Sequence, residues 1–432
     1  MLQKIDIGVQ TLDAYRDLID GALLDEVHRL AERLRGARLL HVNATPYGGG
    51  VSELLRSLLP VLRAAGIDAE WKVIYGEETF FKVTKDFHNA LQGASFELTE
   101  DARGIYLSYN QRNAEDVGDG YDFVIAHDPQ TAAMRSLSKN VRAKWIWRCH
   151  IDTSEPNPDV WNFLSPYVAA HDASVFTMRE FVPPGLEGIK LYTIHPAIDP
   201  LSPKNMSLSP HVARSILGWI GVDLRKPLIL QVSRFDPWKD PLGVIDAYRL
   251  VKREMPQVQL VLAASMAHDD PEGWSYYERT ARRAGEDMDI HILTNLTGVG
   301  NVEVNAIQTA ARVVVQKSLR EGFGLVVSEA LWKGRPVVAG NVGGIPLQVL
   351  DGRTGYLASS PATCSERILD LLRRPDVADS MGAAGREHVR ANFLITRYLC
   401  DHLKMYTALA HAGASPAPSP AEQIMHPGGE SR

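Results

Sequence analysis

The 432-residue sequence has few cysteines, no long apolar run and no excess of basic residues. Its three cysteines, Cys149, Cys364 and Cys400, lie far apart and form no CxxC pair, which disfavours a disulfide framework and a thiolate zinc site. No stretch approaches the roughly 18 consecutive apolar residues of a membrane-spanning helix, and the amino terminus lacks the apolar segment of a secretory signal. These absences predict a soluble cytoplasmic protein that does not bind membranes.

The lack of a basic excess and of two common phosphate-binding motifs disfavours further classes of protein. The 46 Lys and Arg face 52 Asp and Glu, a net charge of −6, which disfavours a nucleic-acid binder. The sequence has no GxGxxG with its ribose-binding acid, so a Rossmann dehydrogenase is the most remote alternative. A glycine-rich turn at residues 48–50 is not followed by the Lys-Ser/Thr of a P-loop. We therefore expect any anion-binding capacity to be concentrated in one site.

What the sequence does contain is a series of short apolar runs that alternate with amphipathic helical stretches, the pattern of a parallel α/β fold. Six predicted strands lie between Arg38 and His195, and five more lie between Leu228 and Ala339. Four prolines crowd residues 196–210 between the two series, which suits a linker. The pattern predicts two α/β units with a ligand cleft at the carboxyl ends of their strands.

These features divide the chain into four parts. Residues 1–200 form a Rossmann-like domain with a helical extension at residues 11–35, and residues 201–385 form a second Rossmann-like domain. One long helical stretch, residues 378–409, is predicted to cross back, so residues 386–411 are assigned to a helix that packs on the first domain. Residues 412–432 are rich in Pro, Ala, Ser and Gly and are predicted to be disordered.

Two motifs whose residues are suited to ligand binding or catalysis follow strands of the second domain. Arg234 and Lys239 share a loop and can converge on one polyanion, although two solvated surface cations are the alternative interpretation. Glu321 and Glu329 would lie about 12 Å apart along one helix, farther than the carboxyl pair of a glycosidase. They are therefore predicted to accept hydrogen bonds from hydroxyls at different ends of a long ligand. An ordinary helix start with a surface Glu329 is the alternative.

The first domain offers glycines and histidines at the ends of its strands. Gly49 and Gly50 precede a helix whose amino terminus an anion could approach, a tight βα turn being the alternative. His127 and His150 each end a predicted strand and have acidic residues nearby. Two such histidines beside a cleft are candidates for ligand contacts.

Together, Arg234, Lys239 and the Glu321-x7-Glu329 pair resemble the signature of the GT-B family of retaining glycosyltransferases. That resemblance implies two Rossmann-like domains facing a cleft. First-domain segments at residues 43–53, 80–93, 127–130 and 148–152 are similar to trehalose synthases of the glycosyltransferring type. Such enzymes join ADP-, UDP- or GDP-glucose to free glucose, giving α,α-trehalose and a nucleoside diphosphate, and the reaction is expected to be reversible.

The resemblance also implies roles for individual residues. Arg234 and Lys239 would neutralise the donor diphosphate, Glu321 and His150 would contact the transferred glucose, and these four form the expected catalytic set. The remaining donor contacts would be the ribose-binding Glu329, the turn at Gly49 and Gly50, and the backbone at Gly322, Phe323, Gly324 and Leu325. The acceptor contacts would be Tyr47, Asp152, Lys82, His88, Asn89 and His127.

Retention of anomeric configuration favours same-face substitution, because Glu321 is the only carboxylate expected near the sugar and the family uses it as a binder. No metal or other cofactor is required by the sequence, although stimulation by Mg²⁺ stays open, as does a homodimer. A retaining trehalose phosphorylase is the first alternative, because it shares part of the first-domain pattern. A non-catalytic nucleotide-sugar sensor is the second.

Overall fold

Two parallel sheets organise the part of the chain that this computed structural model describes, residues 2–47, 49–139, 142–266 and 271–411. The first sheet has the order β1-β3-β2-β4-β5-β6-β7, and only the short edge strand β1 runs antiparallel. Its strands are β1 (Gln3–Lys4), β2 (Arg38–Asn43), β3 (Asp68–Val73), β4 (Phe123–His127), β5 (Lys144–Arg148), β6 (Ala173–Phe176) and β7 (Lys190–Thr193).

The second sheet is parallel throughout the described residues, with the order β10-β9-β8-β11-β12-β13. Its strands are β8 (Leu228–Val232), β9 (Gln259–Ala264), β10 (Ile290–Thr294), β11 (Val313–Gln316), β12 (Val337–Ala339) and β13 (Gly355–Leu357). The predicted GT-B architecture of two Rossmann-like sheets is thus confirmed. Strands β1 and β13 were not predicted, because each has only two or three residues and neither forms an apolar run.

Helices cover both faces of each sheet. They are α1 (Gly21–Glu32), α2 (Gly50–Ala64), α3 (Glu78–Leu91), α4 (Glu100–Glu115), α5 (Met134–Leu137), α6 (Pro158–Ala169), α7 (Pro210–Trp219), α8 (Pro241–Glu254), α9 (Pro271–Ala284), α10 (Asn301–Ala310), α11 (Leu325–Trp332), α12 (Pro361–Arg373), α13 (Pro375–Asn392) and α14 (Ile395–His411). None of these described helices is long and apolar enough to cross a membrane.

The prediction of one continuous helix over residues 378–409 is wrong, because the chain breaks between α13 and α14. At the break, the Ile198 amide donates to the Phe393 carbonyl at 2.9 Å and the Ile395 amide donates to the Ile198 carbonyl at 2.9 Å. These bonds tie the break to the segment that joins the two sheets. Helix α14 then packs against the first sheet, where the rings of Tyr406 and Phe123 lie 5.1 Å apart. The predicted return to the first domain is confirmed.

Candidate active site

The carboxyl end of β8 places two cations beside each other through one capping carboxylate. Asp236 accepts hydrogen bonds from the amides of Trp238 and Lys239 at 2.7 and 3.2 Å, and so caps a single 3₁₀ turn. Its other oxygen lies 3.2 Å from Nη2 of Arg234. Because Asp236 organises the whole loop, Arg234 and Lys239 are held at the same strand end, as the sequence predicts.

Glu321 lies within direct reach of one of these cations. Nζ of Lys239 lies 2.7 Å from each carboxylate oxygen of Glu321. Ser318 donates to the same carboxylate at 3.0 Å, and Gln316 donates at 3.4 Å. Three donors from two loops thus fix the orientation of a side chain that is only 8% exposed. The structure therefore brings together Lys239 and Glu321, which are 82 residues apart in the sequence.

The turn after Glu321 joins the two halves of the cleft. Gly324 precedes α11 with φ of +81°, a conformation that side chains other than glycine rarely adopt. At Gly322, a Cβ atom would lie 2.5 Å from the carbonyl oxygen of His150, which is closer than any side chain permits. The strand end that carries His150 therefore lies directly against the glycine turn of the second domain.

Two helix starts meet beside this turn. A Cβ atom at Gly50, the first residue of α2, would lie 3.5 Å from Cδ1 of Leu325, the first residue of α11. Free amides and partial positive charge at both starts make this a suitable place for an anion. Gly49 precedes α2 directly, whereas Gly48 lies outside the described residues. The Phe323 side chain is buried against Phe393, at 5.4 Å between rings, so only its backbone is available to a ligand.

Glu329 lies inside the protein, in an ion group with Lys204 and Glu53. Its side chain is fully buried, and Oε1 lies 3.0 Å from Nζ of Lys204, which also lies 3.1 Å from Glu53. Gln308 donates to its second oxygen at 3.1 Å. Burial opposes the charge on Lys204, but the two carboxylates outweigh it and raise its pKa above the usual range. Lys204 and Gln308 thus contact both carboxylate oxygens of Glu329, and its predicted contact with ribose stays a prediction.

The estimate of about 12 Å between the two glutamates on one helix does not apply. Glu321 precedes the start of α11 and lies in the loop after β11, whereas Glu329 lies inside the helix. The two carboxylates therefore belong to separate environments, one shared with Lys239 and one shared with Lys204.

Three histidines form a row across the first sheet. Nδ1 of His41 lies 3.0 Å from Nε2 of His127, and Nδ1 of His127 lies 2.9 Å from Nε2 of His150. Burial, together with the neighbouring His150, His41 and Arg148, holds the pKa of His127 well below its usual value. His127 is only 3% exposed and uses both ring nitrogens. His127 therefore contacts His41 and His150 inside the first sheet, and its predicted contact with the acceptor glucose stays a prediction.

Asp128 supports the same strand end. Its carboxylate accepts the His150 amide at 2.8 Å, and burial raises the pKa of Asp128 to about 7. Asp152, a predicted acceptor contact, accepts the amide and the hydroxyl of Ser154 at 3.0 and 2.6 Å through one carboxylate oxygen. Both acids are largely buried. Asp128 fixes the backbone at His150, and Asp152 fixes the turn to Ser154.

Helix α3 supplies the other predicted acceptor contacts. Burial, with Lys85, Arg234 and Lys239 nearby, lowers the pKa of His88 to about 3, so His88 lies close to the cations of the second domain. Asn89 is partly exposed beside it, and Lys82 is exposed on the same helix. Tyr47 is 74% exposed, and its ring lies 4.9 Å from the guanidinium carbon of Arg56. Among the described residues, Tyr47 contacts Arg56 and Thr45 of the first domain and none of the other acceptor candidates.

Several residues of this site were not predicted. Gln316 and Ser318 follow the same strand end as Glu321, and the rule that ligands bind at strand ends could have indicated them. His41 lies inside a strand and Lys204 lies in the linker, so no local pattern indicates either residue. Among the described residues, no group of three or more His, Cys, Asp or Glu side chains is arranged to hold a metal ion.

Known proteins resemble this chain over nearly its whole length. The family model "Trehalose synthase, N-terminal domain" matches residues 41–183, and "Glycosyl transferases group 1" matches residues 220–388. The trehalose synthase of Rubrobacter xylanophilus is 55% identical, over 95% of this chain and 99% of that protein. A trehalose phosphorylase of Grifola frondosa is 28% identical, over 88% of this chain but 58% of that protein. The structure of an α,α-trehalose 6-phosphate synthase from Burkholderia multivorans has a TM-score of 0.68 at 16% identity, covering 88% of this chain and all of that one.

Proposed function

Because the chain belongs to the trehalose synthase family of glycosyltransferases, we propose that it is a retaining glucosyltransferase with two substrates, a nucleoside-diphosphate glucose and free glucose. The products are α,α-trehalose and the nucleoside diphosphate. The observation that best supports this proposal is the placement of Arg234 and Lys239 after β8 beside Glu321 after the neighbouring strand β11, with the glycine turn after Glu321 against the strand end that carries His150.

The cations supply the charge that a departing diphosphate needs. Lys239 pairs with Glu321, and a Cβ atom at Gly324, the residue before α11, would lie 3.2 Å from Cγ of Glu321, so the ammonium of Lys239 lies close to one helix start. Arg234 is held in the same loop as Lys239 by Asp236 and supplies a guanidinium to the diphosphate. Lys239 contacts Glu321, and it is shared with the diphosphate when the donor binds. Glu321 then accepts hydrogen bonds from the hydroxyls of the transferred glucose.

The reaction itself is a same-face substitution. The bond between the anomeric carbon and the phosphate oxygen breaks, and the acceptor hydroxyl oxygen forms the new bond on the same face. The acceptor proton passes to the departing phosphate oxygen. Glu321 is held by three donors and is poorly suited to act as a nucleophile. Positioning and electrostatic stabilisation therefore supply most of the rate.

Nucleotide binding requires a rearrangement at Glu329. If Glu329 takes the ribose hydroxyls, Lys204 must release one carboxylate oxygen while it keeps Glu53. We further propose that the domain boundary lies near residue 200 and that the domains close about residues 196–210, which excludes water from the donor. Small-angle scattering with and without the nucleotide sugar tests this closure, and an unchanged radius of gyration would contradict it.

Phosphorolysis is the second candidate, because the Grifola frondosa relative is a trehalose phosphorylase. The two functions differ in the group that takes glucose from trehalose. Trehalose is incubated with ADP, UDP, GDP or inorganic phosphate, and the nucleotide sugar or glucose 1-phosphate is measured. We expect nucleotide sugar with at least one nucleotide and no glucose 1-phosphate. Glucose 1-phosphate formed without nucleotide would establish the phosphorylase instead.

The forward assay identifies the donor. ADP-, UDP- and GDP-glucose are each supplied with free glucose, and trehalose and nucleoside diphosphate are measured together. Equal amounts of both products are expected with the preferred donor. Binding of a nucleotide sugar without turnover by any of the three donors would favour the non-catalytic sensor.

A further inference from the structure

Three imidazoles form a hydrogen-bonded row behind the cleft. His41 lies on β2, His127 ends β4 and His150 follows β5, and these are neighbouring strands of one sheet. The rings of each adjacent pair lie 5.2 Å apart between centroids. Only His150 is partly exposed, and the other two are buried. The row thus leads from the core to the cleft.

The central ring couples the proton positions of its two neighbours. A neutral imidazole carries one N–H, so His127 donates through one nitrogen and accepts through the other. If His127 donates to His41, then His150 donates Nε2–H to His127 and shows a bare Nδ1 to the cleft. If His41 donates to His127, then His127 donates to Nε2 of His150, and His150 keeps its proton on Nδ1.

The inner end of the row selects between these two arrangements. Among the described residues, Nε2 of His41 and Nε2 of His402 are both buried without a hydrogen-bond partner. His402, on α14, receives the Tyr406 hydroxyl at 3.2 Å on Nδ1, because that buried hydroxyl has no other acceptor among the described residues. A neutral His402 then carries its proton on Nε2. The pKa of His402 lies well below its usual value because of burial, with Arg148 and His41 nearby.

A protonated Nε2 on His41 would be a buried N–H donor without an acceptor among the described residues, and proteins rarely leave such a donor unpaired. The proton of His41 is therefore placed on Nδ1, where it is donated to His127. Every donor in the row then points from α14 towards the cleft.

We propose that His127, oriented by His41, is a positioning residue that holds His150 in the Nδ1–H tautomer, so that His150 donates a hydrogen bond to the transferred sugar. The proposal rests on the proposed function, because it takes the sugar to be the ligand of His150.

The tautomer is measured directly on the full-length, ligand-free protein. Histidine is labelled with ¹⁵N, and long-range ¹H–¹⁵N correlations report which ring nitrogen carries the proton. Resonances of His150 are assigned by their loss in His150→Asn. We expect protonated Nδ1 and bare Nε2 at His150. A proton on Nε2 would overturn the proposal without bearing on the reaction, whereas lack of trehalose-forming activity would contradict the proposed function without changing the tautomer.

A pair of variants tests the consequence for sugar transfer. In His127→Asn the amide nitrogen can take the place of Nδ1 and donate to His150, whereas His127→Leu cannot donate. We expect a kcat about a hundredfold lower in His127→Leu with little change in KM for the donor, and near wild-type kcat in His127→Asn. His171→Asn is the matched control, since His171 is buried and bonded to backbone carbonyls outside the row. Equal kcat in folded His127→Leu and His127→Asn would overturn the proposal.

Discussion

The strand ends on the two sides of the cleft differ in the charge of their side chains and in how those side chains are linked. On the second sheet, Arg234 pairs with Asp236 and Lys239 pairs with Glu321, so opposite charges are held in contact. On the first sheet, desolvation lowers the pKa values of the buried His41 and His127 and of the partly exposed His150, and the three are linked ring to ring. The charged side suits a diphosphate and the neutral side suits sugar hydroxyls. The comparison indicates that charge and orientation are supplied by different domains, so each can be changed separately.

The largest effect is expected from removing charge on the second side. Arg234→Ala should lower kcat about 10²–10³-fold, because the diphosphate loses a bidentate donor as negative charge develops on it. Steady-state rates with the nucleotide sugar and glucose measure this loss. Arg225→Ala is the matched control, since Arg225 is an exposed arginine that pairs only with Asp223 in the described structure. Wild-type turnover by Arg234→Ala would contradict the role assigned to Arg234.

The next largest effect is expected from the ion group of Lys204, Glu53 and Glu329, which joins the two domains. Lys204→Met removes the cation that pairs with the buried carboxylate of Glu329 and the partly exposed carboxylate of Glu53. This should lower the free energy of unfolding by about 3–5 kcal/mol, because Glu329 is left buried without its ion-pair partner. Chemical denaturation measures the change. Lys144→Met removes a more exposed pair with Asp172 and should cost at most about 1 kcal/mol. Equal losses of unfolding free energy in both variants would show that burial of the Lys204 ion pairs adds nothing to their stabilising effect.

A smaller effect is expected from Asp128 on the neutral side. Burial raises the pKa of Asp128 to about 7 in the folded protein. The unfolded chain ionises this group from about pH 4, so the folded state holds the extra proton and stability falls as pH rises from about 4 to about 7. Asp128→Asn keeps the acceptor for the His150 amide and should remove this part of the pH dependence.

The measurement is the free energy of unfolding of wild type and Asp128→Asn at several pH values. The gap between the two should grow in favour of Asp128→Asn as pH rises, and Asp116→Asn, on the surface, is a control for charge alone. The buried histidines contribute with the opposite sign in both proteins, because their lowered pKa values make stability fall as pH falls through about 6.5. A gap that is constant with pH would contradict an elevated pKa at Asp128.

The smallest effect is expected from removing divalent metal. Arg234 and Lys239 together with two helix starts supply positive charge around the proposed diphosphate site. Treatment with EDTA should therefore leave the initial rate of sugar transfer unchanged. Loss of activity that Mg²⁺ restores would show that the protein cations are insufficient and would weaken the comparison between the two sides.

The charged side was predictable because its residues lie in short motifs at strand ends. Arg234 and Lys239 share one loop, and Glu321 follows one strand, so the parallel α/β pattern places them together. The row of histidines was only partly predictable, since His41 lies 86 residues from His127 and its role depends on which strands are neighbours. Lys204 could not be predicted, because its two carboxylates come from opposite sides of the linker.

The carboxy-terminal helices show the same limit. Helical periodicity predicts helix over residues 378–409, but it does not predict that Phe393 and Leu394 leave the helix to bond with Ile198. That break depends on a partner nearly 200 residues away in the chain. It is also what directs α14 to the first sheet, where His402 and Tyr406 lie beside the histidine row.

The most direct test of the central claim follows the anomeric carbon through the reaction. The preferred nucleoside-diphosphate glucose, labelled with ¹³C at C1, is incubated with unlabelled glucose, and the products are identified by NMR. We predict α,α-trehalose labelled at one anomeric carbon, together with an equal amount of nucleoside diphosphate. A labelled product of inverted configuration, or labelled free glucose as the main product, would contradict retaining transfer to glucose.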